Sequence, residues 1–136
     1  RADYYRDFAA RVQSVKEQLQ ALLGGLKAEG KRIVGYAAAA KATILLNAAG
    51  IDGQYLDYVV DRNVHKHGRY MPGVRLPIHD VTKLLEAPAP DYVVILAWNL
   101  KDEIMRQQQA YADRGGQFIV PVPVPQIVRS NEPVGV

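Results

Sequence analysis

Apolar residues recur every three or four positions along the first part of the chain. They are Tyr5, Phe8, Val12, Val15, Leu19, Leu22 and Leu26. This spacing predicts a long amphipathic helix, and Gly30 is a plausible end for it. The apolar stripe favours packing on one face of a sheet. The alternative is a coiled-coil seam between two copies of the chain.

Short apolar runs without helical spacing predict the strands. They lie at residues 33–34, 55–60, 78, 91–96 and 117–120. The run at 91–96 is rich in β-branched and aromatic residues and predicts a central strand buried on both faces. Helical patterns follow at about 40–49 and from Asn99, a good N-cap residue, to about 114; Asp80 caps a shorter turn. This alternation predicts an α/β fold with a mostly parallel sheet covered by helices on both faces.

Length and composition limit the fold and the compartment. With 136 residues, 49% of them hydrophobic, the chain predicts a single domain over 1–136, with a leading helix at 1–30 and a weakly specified tail at 126–136. No apolar run approaches the roughly 20 residues of a membrane span. The absence of cysteine excludes disulfides and thiolate sites and is compatible with a reducing compartment. We therefore expect a cytoplasmic protein. Because the chain opens on Arg1 within a helical pattern, we also expect it to be a piece of a longer one.

The segment 33–47 combines a buried strand, a turn of small residues and a helix. Such a unit can hold an anion at the helix N-terminus. Gly35 stands alone, with Ala37 and Ala40 where a dinucleotide-binding fingerprint has further glycines. Because ligands in parallel sheets bind beyond the carboxyl ends of the strands, we expect this turn, Asp61 and Trp98 to converge on one edge.

Positive charge is concentrated in one predicted loop. The formal net charge is +3, and the segment 62–79 contains Arg62, Lys66, Arg69, Arg75 and three histidines without an acid. We expect this basic loop at the same edge, where its cations suit a pyrophosphate. Lys41, in the first turn of its helix, has a similar phosphate-binding interpretation. Solvated surface positions are the alternative for these cations.

Other chemistries have weaker support. His65 and His67 lack the well-defined ligand set of a metal site, and spacing gives His65 no partner as a general base. Tyr36 and Trp98 suit either stacking on a base or sugar, or core packing. Asp61 follows the second strand at the spacing of the acid that meets a ribose in dinucleotide-binding folds. A dinucleotide-binding module of an oxidoreductase or regulatory protein therefore remains an alternative, and an assembly module that dimerises through its long helix is another.

Three motifs then identify a relationship. They are GYAAAAK at 35–41 with LLN at 45–47, VDRNVHKHGRYMPG at 60–73, and AWNLKDEI at 97–104. In these motifs the chain resembles the C-terminal domain of the S-adenosylmethionine-dependent sugar C-methyltransferase family, over about residues 10–125. The resemblance implies a Rossmann-like three-layer sandwich that completes a nucleotide-sugar site.

The resemblance also implies what lies outside this sequence. An N-terminal zinc-binding domain and a central domain that binds S-adenosylmethionine and carries the catalytic groups would be the partners of this one. The domain itself is then expected to bind a nucleotide-linked sugar but no cofactor, metal, nucleic acid or membrane, and to be non-catalytic. A homodimer stays open.

The residues that match the family motifs are the candidate substrate-binding residues. They are Gly35, Tyr36, Ala37, Lys41, Asp61, Arg62, Asn63, Lys66, Trp98 and Asn99. Ala37 replaces a glycine that the family usually has, and Val64 stands where a proline is common. Because alanine has less access to positive φ than glycine, we expect ligand contacts mainly from Lys41 and the basic loop.

Overall fold

A computed structural model describes residues 2–37, 40–122 and 124–128, and the side chains of all of these except 2–12, 40 and 41. The helices are α1 (Ala2–Ala28), α2 (Ala40–Ala49), α3 (Lys101–Gln107) and α4 (Gln109–Asp113). The strands are β1 (Ile33–Tyr36), β2 (Val59–Asp61), β3 (Ile78–Asp80), β4 (Tyr92–Ile95), β5 (Gln117–Val120) and β6 (Gln126–Val128). Single 3₁₀ turns lie at Val64–Lys66, Val81–Leu85 and Trp98–Leu100.

The strands form one sheet in the order β3-β2-β1-β4-β5-β6. Strands β1 to β5 pair in parallel, and β6 pairs antiparallel with β5 at the edge. The α/β class and the mostly parallel sheet are thus confirmed. The strand order reverses between β1 and β4, and such a reversal opens a crevice beyond the carboxyl ends of the two strands.

Two apolar clusters pack on the two sides of the sheet. One contains the buried side chains of α1 and α2, and the other contains those of α3, α4 and the 81–85 turn. Successive strand residues alternate between the clusters, as Ile33 and Val34 do. Leu19 and Leu23 of α1 lie in the first cluster and are 1% and 0% exposed, so this part of α1 packs on the sheet. The predicted stripe residues Tyr5, Phe8 and Val12 lie outside the described side chains.

Several predicted boundaries were wrong because local hydrogen bonds override the apolar pattern. Residues 55–58 were expected in the second strand, but the amides of Tyr55 and Leu56 both donate to Asp52 O at 3.0 Å and form a turn. Asn99 was expected as an N-cap, but it lies inside a 3₁₀ turn, and Leu100 occupies the cap of α3. The helix predicted to run to about 114 is broken at Gln108.

Two further predictions in the second half of the chain, the cap at Asp80 and the weakly specified tail, differ in detail from the structure. Asp80 does occupy the cap of its 3₁₀ turn, but its side chain makes no capping hydrogen bond. The tail expected to be weakly specified forms β6 over Gln126–Val128, while residues 129–136 lie outside the described part. Among the described residues, no helix is both long and apolar enough to cross a membrane.

Candidate functional site

The carboxyl ends of the parallel strands bring together the segments that the motifs indicated. Tyr36 is in register with Val60 of β2 and with Ile95 of β4. The residues that follow these positions are therefore neighbours at one edge of the sheet, beside the crevice between β1 and β4. The expected convergence of the three motif segments is confirmed at the level of the backbone.

Gly35 and Ala37 are both constrained by the protein itself. A Cβ at Gly35 would lie 2.8 Å from Leu96 Cδ1 and 3.3 Å from Val59 Cγ2, so the missing side chain allows close packing of the core. Ala37 has a φ of 77°, which is left-handed backbone that glycine adopts more readily. Its amide donates to Val60 O at 2.7 Å. Ala38, Ala39 and the side chain of Lys41 lie outside the described residues.

Tyr36 ends β1 with its ring in the core, 3% exposed. Its hydroxyl oxygen accepts a hydrogen bond from Gln108 Nε2 at 3.1 Å. Burial raises the pKa of Tyr36, while the Gln108 hydrogen bond and the Arg62 charge act in the opposite direction. Sequence reasoning missed Gln108, because 72 residues separate it from Tyr36 and no local pattern marks the contact.

The loop after β2 is shaped around Asp61. Its Oδ1 accepts from the amide of Asn63 at 2.7 Å, and Asn63 Oδ1 in turn accepts from the amide of His65 at 3.0 Å. Lys66 Nζ lies 3.7 Å from Asp61 Oδ2, and His67 Nε2 lies 2.6 Å from the main-chain oxygen of Asp61 and donates to it. The side chain of Asp61 is 13% exposed. This carboxylate therefore organises its own loop, and the Lys66 ammonium lies close to it.

The predicted basic loop is divided between the two ends of β3. Arg62 and Lys66 follow β2 at the carboxyl edge. Beyond them the chain turns back: Gly68 donates to Ile78 O, and Ile78 donates to Arg69 O. Arg75 precedes β3, near the end of α2 where Asn47 Nδ2 donates to Pro72 O. The expectation that Arg75 lies at the ligand edge was wrong, because β2 and β3 are parallel and the chain must return to the opposite edge between them.

The segment after β4 supplies an aromatic and an amide side chain. Trp98 is partly buried and packs against both apolar clusters, so its side chain contacts the apolar layers on both sides of the sheet. Asn99 and Leu100 are exposed beside it. The structure therefore places Trp98 in a packed position and Asn99 in an accessible one.

Two further features concern metal binding and the opposite edge of the sheet. Within the described residues, no three His, Asp or Glu side chains come close enough to hold a metal ion. A cleft of about 140 Å³ lies at the opposite edge of the sheet, where its walls include Pro90, Tyr111 and Arg114. None of the candidate residues whose side chains the structure describes borders this cleft.

A mostly parallel sheet whose strand order reverses between β1 and β4 defines an α/β domain, and two cations, an aromatic ring and an amide follow the strands at its carboxyl edge. The family model of the C-methyltransferase C-terminal domain matches residues 1–123. The chain belongs to this family, as its motifs predicted. C-methyltransferase NovU of Streptomyces niveus is 38% identical over 127 residues, which cover 93% of this chain and 30% of that protein. The chain thus spans about a third of the length of this relative.

Proposed function

We propose that this chain is a Rossmann-like substrate-binding domain of an S-adenosylmethionine-dependent C-methyltransferase. It holds a nucleotide-linked sugar at the carboxyl edge of the sheet and presents it to a catalytic domain elsewhere in the enzyme. Transfer of the methyl group takes place outside this domain. Family membership supports the general class, and the convergence of the Asp61–Lys66 loop with Trp98 and Asn99 beside the crevice carries the proposal of substrate binding.

The division of labour within the site follows from charge and exposure. Arg62 is exposed and Lys66 half-buried at the edge, and both have the charge to pair with the diphosphate. The Lys66 ammonium is already near one carboxylate, so Arg62 contributes the larger attraction. Asn99 is placed to hydrogen-bond a hydroxyl or base of the ligand, and Trp98 offers a ring edge against which the base or sugar packs.

A dinucleotide-binding module is the less favoured candidate. That function requires the acid after the second strand to accept hydrogen bonds from a ribose. Asp61 already accepts from the amide of Asn63 and lies 3.7 Å from the Lys66 ammonium. A ribose would have to compete with these partners, so we expect NAD to bind more weakly than a nucleoside diphosphate sugar.

Calorimetric titration of the 136-residue chain with a thymidine-diphosphate sugar tests the proposal. We expect binding that Arg62→Gln weakens about tenfold, because a charge-assisted hydrogen bond to phosphate is lost. Arg75→Gln is the matched control: it removes the same charge from the same segment at the opposite edge and should change affinity less than about twofold. Equal losses in the two variants, or binding of NAD in preference to the sugar nucleotide, would contradict the proposal.

A further inference from the structure

Three consecutive glutamines lie where α3 gives way to α4, and they make different contacts. Gln107 Nε2 donates to Glu103 Oε1 at 3.3 Å, and Gln109 Nε2 donates to Asp113 Oδ1 at 2.8 Å, both on the surface. Gln108 is partly buried between them, and its Nε2 reaches the hydroxyl oxygen of Tyr36 at 3.1 Å. The middle glutamine therefore ties the helix break to the carboxyl end of β1.

The direction of this hydrogen bond determines where the hydroxyl hydrogen of Tyr36 points. An amide N–H is a donor, so the phenol oxygen is the acceptor and its own hydrogen is turned away from Gln108. Among the described residues, Gln108 is the hydrogen-bond partner seen for this hydroxyl. Tyr36 ends β1 beside the crevice, close enough to Asp61, Arg62 and Glu103 for their charges to act on its hydroxyl.

We infer that Gln108 is a positioning residue of the substrate site: it donates to the Tyr36 hydroxyl oxygen and thereby directs the hydroxyl hydrogen toward an oxygen acceptor of the bound nucleoside diphosphate. Gln108 acts through Tyr36 and has no contact of its own with the ligand. The inference rests on the function proposed above and assigns a role to a residue outside the three motifs. It also explains a broken helix at this point, since the break allows a residue of the α3–α4 layer to turn toward β1.

The amide-to-carboxylate substitution Gln108→Glu tests the direction of the hydrogen bond. A carboxylate accepts but does not donate, so Tyr36 would give its hydrogen to residue 108 and withhold it from the ligand. We expect the Kd for thymidine diphosphate to rise about tenfold. Gln107→Glu introduces the same charge one residue away without a contact to Tyr36 and should raise the Kd no more than about twofold.

A double-mutant cycle with Tyr36→Phe separates hydrogen-bond direction from added charge. When the hydroxyl is absent, Gln108→Glu keeps its charge but has no hydrogen to redirect, so we expect it to change the Kd by less than about twofold in that background. Equal losses in both backgrounds, with thymidine diphosphate still bound by the parent chain, would overturn this inference alone. Absence of binding to the parent chain would overturn the proposed function and this inference with it.

The variant Gln108→Met supplies a second readout if Gln108→Glu does not fold. It removes the donor without adding charge, so the bond that stabilises the phenolate is lost and the pKa of Tyr36 should rise further. Carbon-13 NMR of ζ-labelled tyrosine, with the Tyr36 signal identified by its loss in Tyr36→Phe, follows this titration. An unchanged titration of Tyr36 in Gln108→Met would show that Gln108 does not act on the hydroxyl, and would overturn the inference independently of any ligand.

Discussion

Ala37, at the edge of the sheet, shows how this chain accommodates an alanine where the resemblance to the family leads us to expect a glycine. Ala37 adopts the left-handed φ that a glycine would favour, at 77°, and the short hydrogen bond from its amide to Val60 O holds it there. The alanine was identifiable from the sequence as a departure from the expected glycine. Its left-handed backbone was not predictable from the sequence, because the neighbouring strand imposes that conformation.

Ala37→Gly should increase the free energy of unfolding. Left-handed backbone costs an L-residue about 1–2 kcal/mol, and glycine at this position would remove that cost. The greater conformational freedom of glycine in the unfolded chain offsets part of the resulting stabilisation. We expect a net stabilisation of about 0.5–1 kcal/mol by urea denaturation. Ala48→Gly, on the exposed side of α2, is the matched control and should instead destabilise the protein by about 0.5–1 kcal/mol. The same sign for both variants would contradict this account.

Because the pKa of His79 is lowered in the folded protein, we expect the protein to lose stability in acid. The His79 ring contacts the Tyr58 ring at 5.2 Å between centroids, and burial, followed by the nearby Lys83 ammonium, lowers its pKa. The unfolded chain therefore takes up a proton from about pH 6.5 downward before the folded chain does, so the free energy of unfolding falls as the pH drops through this range. We expect His79→Gln to lessen the slope between pH 7 and 5. An equal slope in the parent and variant would refute this assignment.

At the scale of elements, the pattern of apolar residues correctly predicted the fully buried strands. It gave wrong boundaries where local hydrogen bonds determine the backbone conformation. Both β4 and β5 lie where apolar runs predicted them, because strands covered on both faces leave few alternatives. The turn at Asp52 and the pairing of β6 depend on hydrogen bonds that the spacing of apolar residues does not predict. The division of the basic loop likewise follows from the parallel pairing of β2 with β3, which neither charge nor composition encodes.

The close packing of β1 gives a prediction at this scale. Gly35→Ala would place a methyl group 2.8 Å from Leu96 Cδ1 within a fully buried layer. We expect the free energy of unfolding to fall by about 1–3 kcal/mol, the usual cost of overpacking a core. Gly53→Ala is the control, since a Cβ there would have nothing within 4 Å; its stability should remain close to that of the parent. Comparable losses in the two variants would argue against the packing role of Gly35.

At the scale of the whole molecule, the two edges of the sheet have different chemistry. At the carboxyl edge, Arg62 and Lys66 follow β2, and Trp98 and Asn99 follow β4; the opposite edge contains the cleft beside Tyr111. The sequence motifs predicted which residues lie at the carboxyl edge, because parallel strands end at a common edge. They could not predict the Gln108 contact, which exists only once α3 and α4 pack on β1.

The central claim, that the nucleotide-linked sugar binds at the carboxyl edge, is tested most directly by mapping amide chemical shifts while the 136-residue chain is titrated with a thymidine-diphosphate sugar. We predict saturable shifts concentrated at Tyr36 and Ala37, at residues 61–66 and at residues 97–100. Shifts centred instead on the opposite cleft, around Asp91 and Arg114, or no saturable shifts at millimolar ligand, would contradict the claim.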